Sequence, residues 1–157
     1  MLKVTPFLWF DDQAEQAAEF YVSLIPNSKI TGVSRYGEAG PGVPGSAMTV
    51  TFELDGLPVT ALNGGPVYKL TEAFSFSVSC EGQAEVDRLW NALIAGGGEE
   101  SRCGWLKDRF GLSWQIVPKA LPRLLGDPDR ARANRAMQAM LKMNKLVVAD
   151  LEAAAAG

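Results

Sequence analysis

The feature that most constrains the fold is an internal repeat. Residues 55–62, DGLPVTAL, align directly with FGLSWQIV at 110–117 and place Thr60 opposite Gln115. Upstream, QAEQAAEFYVSLI at 13–25 aligns with QAEVDRLWNALIA at 83–95. A shared QAE triplet alone carries little weight. The same order of strand, helix and three strands around both matches carries more, because repetition of a whole supersecondary unit marks a tandem architecture. The 157 residues leave room for two such units and an extension.

In the first unit, Lys3 with VTPFLWF to residue 10 reads as a strand, and DDQAE follows as a helix start with Asp12 and Glu15 at capping-box spacing. Ala17, Ala18, Tyr21, Leu24 and Ile25 recur at helical intervals, so a helix is expected over 13–25, stopped by Pro26-Asn27. Strands follow at Ile30 to Tyr36 and Ala47 to Leu54, separated by the glycine- and proline-rich segment GEAGPGVPG. The second of these alternates, with Met48, Val50, Phe52 and Leu54 on one face and Thr49, Thr51 and Glu53 on the other. Asp55-Gly56 is a hairpin turn, and Leu57 to Asn63 returns as the fourth strand.

The second unit repeats this order: FSFSVSC at 74–80, a helix carrying Val86, Leu89, Trp90, Leu93 and Ile94 on one face, and three short strands over 100–118. The fold class expected is α+β: two tandem βαβββ modules, about 1–66 and 72–118, followed by a helical tail over 119–157 in one domain. In the tail, Asp127-Pro128 opens a helix with Ala133, Ala136, Met137, Met140 and Leu141 on its apolar face, and a short helix is expected over Val147 to Ala156. That apolar stripe must cover either a sheet edge of its own subunit or a partner chain. Arg130, Arg132 and Arg135 read as a solvated face.

Composition narrows the chemistry. The chain has no histidine, which removes Ser-His-Asp and Cys-His catalysis and histidine-based zinc or iron sites. A net charge of -3 without a dense basic run argues against nucleic acid. No apolar run reaches the roughly 18 residues of a membrane span. The N-terminus MLKVTPFLWFDDQ lacks an apolar core with a small-residue cleavage site, so a cytoplasmic protein is expected. Cys80 and Cys103 read as reduced thiols.

The chain resembles the PhnB-like branch of the vicinal oxygen chelate superfamily (glyoxalase, bleomycin-resistance and dioxygenase fold; 3-demethylubiquinone methyltransferase-like). The residues that carry the resemblance are TPFLWFDDQAEQAAEFYVSLIPNSKI, MTVTFELDGLPVTALNGGP and, above all, CGWLKDRFGLSWQIVP at 103–118. It implies modules that curl around a central cavity holding a small molecule, usually in a homodimer. Metal-dependent members supply two ligands from each module. Transferred here, those positions are Pro6, Thr60, Phe74 or Phe76, and Gln115, so only one weak donor, a neutral amide, survives and no metal or other cofactor is expected. The methyltransferase name finds no nucleoside-cofactor motif, since no strand runs into a glycine-rich turn and helix.

Within that cavity the candidate catalytic residues are Glu53, as acid, base or cation partner, and Gln115, as a hydrogen-bonding amide; a solvated strand face and a structural amide are the alternatives. Trp9, Asn63, Trp105 and Tyr68 are candidate ligand-binding residues, with core packing, a turn contact or a surface linker as their other readings. Cys103 stands near Arg102 and Lys107 without a base and reads as a buried, inert thiol. The segment GEAGPGVPG is a flexible loop or lid. The function expected is metal-free binding of a small molecule; a lyase, isomerase or hydrolase using Glu53 and Gln115, and an interaction module acting through the C-terminal helices, are the alternatives.

Overall fold

The computed structural model describes residues 2–157. The chain divides into two compact units, Met1–Leu70 and Thr71–Gly157.

In the first unit, strands β1 (Phe7–Phe10), β2 (Lys29–Arg35), β3 (Ala47–Leu54) and β4 (Leu57–Asn63) form a sheet in the order β1-β4-β3-β2, with helix α1 (Ala14–Leu24) between β1 and β2. β1 runs parallel to β4; the other pairs are antiparallel. Alternation assigns the faces. Leu8, Phe10, Val50, Phe52, Val59 and Ala61 are buried, and so are Ala14, Ala17, Ala18 and Tyr21 of α1, whose tyrosine ring lies 6.4 Å from Phe52. Each large side chain so removed from water contributes about 1.5–3 kcal/mol. Trp9, Thr49, Thr51, Glu53 and Thr60 occupy the opposite, helix-free face, following the period of two. The Asp55-Gly56 turn has φ of 47° and 80°, the left-handed pair that a two-residue hairpin needs, and Leu54 pairs with Leu57 across it.

Two local expectations are corrected. The first strand begins at Phe7 rather than Lys3. The helix start is not a capping box: Gln13 is the N-cap and offers no side-chain bond, while Ala14 N–H donates to Asn63 Oδ1 at 2.8 Å. The cap comes from the end of β4, a tertiary contact that local spacing does not reveal.

In the second unit, β5 (Ser75–Cys80), β6 (Glu99–Glu100), β7 (Trp105–Lys107) and β8 (Ser113–Pro118) form a sheet in the order β5-β8-β7-β6, with α2 (Gln83–Ile94) after β5. β5 again pairs in parallel with the last strand. The buried set is Val86, Leu89, Trp90 and Leu93 of α2 with Leu106, Trp114 and Ile116. β6 and β7 are only two and three residues long, with chain turns at 101–104 and again at 108–112. The second turn is organised by Asp108, 2% exposed, whose Oδ1 accepts from Phe110 N and Leu112 N at 2.9 and 3.0 Å and whose Oδ2 accepts from Trp114 Nε1 at 2.9 Å. A buried carboxylate is tolerated only when its oxygens are satisfied in this way.

The tail contains three helices where two were expected: α3 (Ala120–Leu125), α4 (Arg130–Met140) and α5 (Val148–Ala156). Pro122 hides α3 in the sequence, yet it lies in the first turn, where a missing N–H costs nothing. Asp129 caps α4 by accepting from Ala131 N and Arg132 N. Leu121, Leu124, Ala136, Leu146, Leu151 and Ala155 form a small core among these helices. The expected stripe of α4 is only partly covered, since Met137 and Leu141 remain 38% and 53% exposed. The three arginines are also not a free solvated face. Arg130 donates to the carbonyls of Leu125 and Asp127, Arg132 to Asp127 Oδ2, and Arg135 to the carbonyls of Ala154 and Ala155 at the end of α5. Among the described residues no helix is long and apolar enough to cross a membrane.

Candidate functional site

A cavity of about 590 Å³ in the first unit lies between α1, the segment after β2 and the end of β4. Asp12, Glu15 and Glu19 form its acidic wall, and Tyr36, Val43 and Asn63 line it elsewhere. The loop GEAGPGVPG folds back on Tyr36: Gly45 N–H donates to the Tyr36 carbonyl at 2.8 Å, and Gly42 lies so close that a Cβ there would fall 2.3 Å from the tyrosine ring. Tyr36 OH donates to the Asn63 carbonyl at 2.5 Å. Tyr36 and the acidic wall escaped the sequence reading. Asp12 and Glu15 carry the helix-start signal in the sequence, and Glu19 adds a carboxylate one turn after Glu15.

The structure distributes the candidate residues of this unit along the sheet. Trp9 Nε1 donates to the Gly65 carbonyl at 2.9 Å, and its ring meets Tyr68 edge-on with centroids 5.0 Å apart. The indole also lies on Gly64, where a Cβ would fall 2.4 Å from it. Asn63 spends its amide on Ala14 N–H and on the Ala47 carbonyl at 3.1 Å. Trp9, Asn63 and Tyr68 therefore gather at one end of β4. Glu53 is at the other end: it pairs in register with Lys29 and Pro58, and its carboxylate stands 4.0 Å from Lys29 Nζ. Four residues of strand, about 13 Å, separate it from the Thr49–Leu62 rung beside Asn63.

In the second unit the strand register makes Ser77, Gln115 and Trp105 one row across the helix-free face, with Ser75, Ser113 and Lys107 as the next. Gln115 Nε2 donates to Ser75 Oγ at 3.0 Å. Trp105, Lys107 and Ser113 line a smaller cavity of about 120 Å³ together with Glu72 and Glu99. Lys107 Nζ lies 2.5 Å from Glu72 Oε1. This hydrogen bond raises the lysine above its ordinary value, while burial pulls the other way, and it lowers the Glu72 carboxyl. Lys107 thus stays cationic at neutral pH. Cys103 is half-buried in a left-handed turn conformation rather than fully enclosed. Cys80 is the buried thiol, pushed up to about 11 mainly by desolvation and secondarily by Glu85.

The four transferred metal positions do not fit a divalent ion. Pro6 has no side-chain donor and Thr60 offers a neutral hydroxyl. Phe76 turns its ring to Trp114, 5.2 Å away on the buried side of the sheet, and Phe74 packs edge-on against Phe76. Gln115 supplies a single amide oxygen. A divalent site needs three or four good donors. Among the described residues no group of three or more Cys, Asp or Glu side chains is placed to hold an ion.

Two βαβββ units, each with its first strand parallel to its last, together with C-terminal helices define a glyoxalase-like fold. The family model described as 3-demethylubiquinone-9 3-methyltransferase matches residues 2–117, and the chain belongs to that PhnB-like family of the vicinal oxygen chelate superfamily. It is 34% identical to a putative 3-demethylubiquinone-9 3-methyltransferase, PhnB protein, from Bacillus cereus, with a TM-score of 0.69 over 74% of this chain and 99% of that one. Protein PA1353 from Pseudomonas aeruginosa is 20% identical, TM-score 0.61, over 75% and 98% of the two chains. The fosfomycin resistance protein FosX from Mesorhizobium loti is 13% identical, TM-score 0.50, over 74% and 92%, and shares the fold. No curated protein matches the chain.

Proposed function

We propose that this protein binds a small organic molecule against the helix-free sheet face that carries Gln115 and Trp105, without a metal ion, as a cytoplasmic homodimer. The row Ser77–Gln115–Trp105 carries the reading. Ser75 engages the amide nitrogen of Gln115 and fixes which way the amide turns, so its oxygen is free to accept from a ligand. The indole across the strand offers a flat apolar surface, and the Lys107–Glu72 ion pair lies beside it in the neighbouring row. This combination suits a flat or aromatic ligand bearing a hydrogen-bond donor. The donor chemistry of Pro6, Thr60, Phe76 and Gln115 supports binding that is independent of metal.

A thermal-shift screen of metabolites and aromatic compounds, run with EDTA and again with added divalent ions, tests the reading. The expected result is a ligand that raises Tm equally in both series, remains chemically intact, and loses about tenfold in affinity in Gln115→Ala, roughly the 1.4 kcal/mol of one hydrogen bond. A Tm shift that requires the ion, or steady consumption of the ligand, would refute it. Sedimentation equilibrium tests the homodimer separately.

A further inference from the structure

The family match ends at residue 117, and about three quarters of this chain accounts for 98–99% of the Bacillus cereus and Pseudomonas aeruginosa proteins. Residues 118–157 are therefore an addition to the frame shared with those relatives. The addition is not a loose appendage. Its segment Met143 to Val148 is bound to two separate parts of the second unit, the Cys103-Gly104 turn and the start of α2.

At the first, the backbone N–H groups of Cys103 and Gly104, the opening residues of the family-like stretch CGWLKDRFGLSWQIVP, donate to the carbonyls of Met143 and Asn144, each at 2.8 Å. At the second, Gln83 at the start of α2 donates to the Leu146 carbonyl at 3.1 Å and accepts from Val148 N–H at 2.7 Å, and Lys145 lies 2.9 Å from Asp87 Oδ1. Back at the turn, Leu146 is fully buried and fills the space beside Gly104, where a Cβ would fall 2.9 Å from its Cδ1 and 3.0 Å from the Ile116 carbonyl.

The turn so held is costly on its own. Cys103 and Gly104 have φ of 59° and 85°, and a non-glycine residue in that region gives up roughly 1–2 kcal/mol. The turn also reaches the candidate site on both sides. Trp105 follows it directly, and the Gly104 carbonyl accepts from Ile116 N–H at 2.8 Å, one residue beyond Gln115. Tail, turn and the Trp105–Gln115 row form one hydrogen-bonded path.

We propose that the Met143–Val148 segment is a built-in brace that fixes the Cys103-Gly104 turn and thereby sets the position of Trp105 beside Gln115. The brace holds this geometry whatever that face binds, so the proposal stands apart from the assignment of a ligand.

The test uses the full chain. Gln83→Ala removes two of the brace's bonds, together with the Gln83–Asp87 contact within α2, and leaves the residues of the turn and the apolar side chains of the tail in place. Val148→Pro removes one donor at the first position of α5, where proline suits a helix and the extended backbone of Val147 suits a following proline. Amide hydrogen exchange is read at Cys103 and Gly104, and 5-fluorotryptophan NMR follows all four indoles. In both variants the two amides are expected to exchange at least tenfold faster and the Trp105 resonance to move, with Trp90 and Trp114 unchanged. Unchanged exchange and an unmoved Trp105 signal would overturn the proposal. Joint collapse of the Trp90, Trp105 and Trp114 signals would overturn it too, since the tail would then be part of a single core rather than a local brace.

Discussion

Asn63 Oδ1 accepts the backbone N–H of Ala14 at 2.8 Å, so the last residue of β4 caps a helix that begins 49 positions earlier. The parallel pairing of β1 with β4 brings Asn63 alongside Phe10, just before that helix starts. Asn63→Ala removes the cap and also the bond to the Ala47 carbonyl. A loss of about 1–2 kcal/mol is expected, read as a lower urea midpoint at unchanged m-value. Asn63→Asp keeps the acceptor but sets an oxygen against the Ala47 carbonyl, and should fall between the two.

Asp108 uses both carboxylate oxygens on three donors. An amide in its place has one acceptor oxygen, so Asp108→Asn must turn an NH2 toward either the backbone pair or the Trp114 indole. The expected cost is about 2–4 kcal/mol, with a loss of near-ultraviolet dichroism from Trp114. Native dichroism at undiminished stability would show that the carboxylate does not organise this turn.

Tyr36 closes the glycine- and proline-rich loop by ring contact with Gly42 and by its hydroxyl bond to Asn63. Tyr36→Phe keeps the ring and loses the bond, so about 1 kcal/mol of stability should go and proteolysis within 37–45 should quicken modestly. Tyr36→Ala should be cut much faster. Equal cleavage of all three proteins would mean that the ring does not anchor the loop.

The Cys80 thiol is raised from an ordinary 9.0 to about 11 in the fold. Below pH 9 both folded and unfolded chains keep the proton and stability is unaffected by it. Between pH 9 and 11 the unfolded thiol ionises while the folded one does not, so stability should fall across this window by roughly 2–3 kcal/mol. Cys80→Ala removes this part of the slope. Chemical denaturation of both proteins from pH 8 to 11 checks it, and identical slopes would refute the assignment.

The tandem units were legible because amphipathic periodicity, the Asp55-Gly56 turn and the two aligned final strands are all local signals. Leu57–Asn63 and Ala47–Leu54 have the boundaries expected from the sequence for this reason. The Asn63 cap, the role of Asp108 and the third tail helix were not legible. The first two depend on contacts made only after the sheets form, and Pro122 disguises the third. For the candidate site, alternation placed Gln115 opposite the apolar face of β8, and the register adds Trp105 beside it. Glu53 stands at the far end of its sheet with Lys29, a position that alternation does not encode because distance along a hairpin depends on register.

One edge of each sheet is brief: β1 has four residues and follows a proline, and β6 is two glutamates long, while the opposite edges, β2 and β5, run to seven and six residues. A brief edge, charged in one case, offers a stray chain few amides to zip onto. Main-chain pairing with another strand is thus restricted at these two edges, and the longer β2 and β5 are where an added strand would find the fuller row of amides.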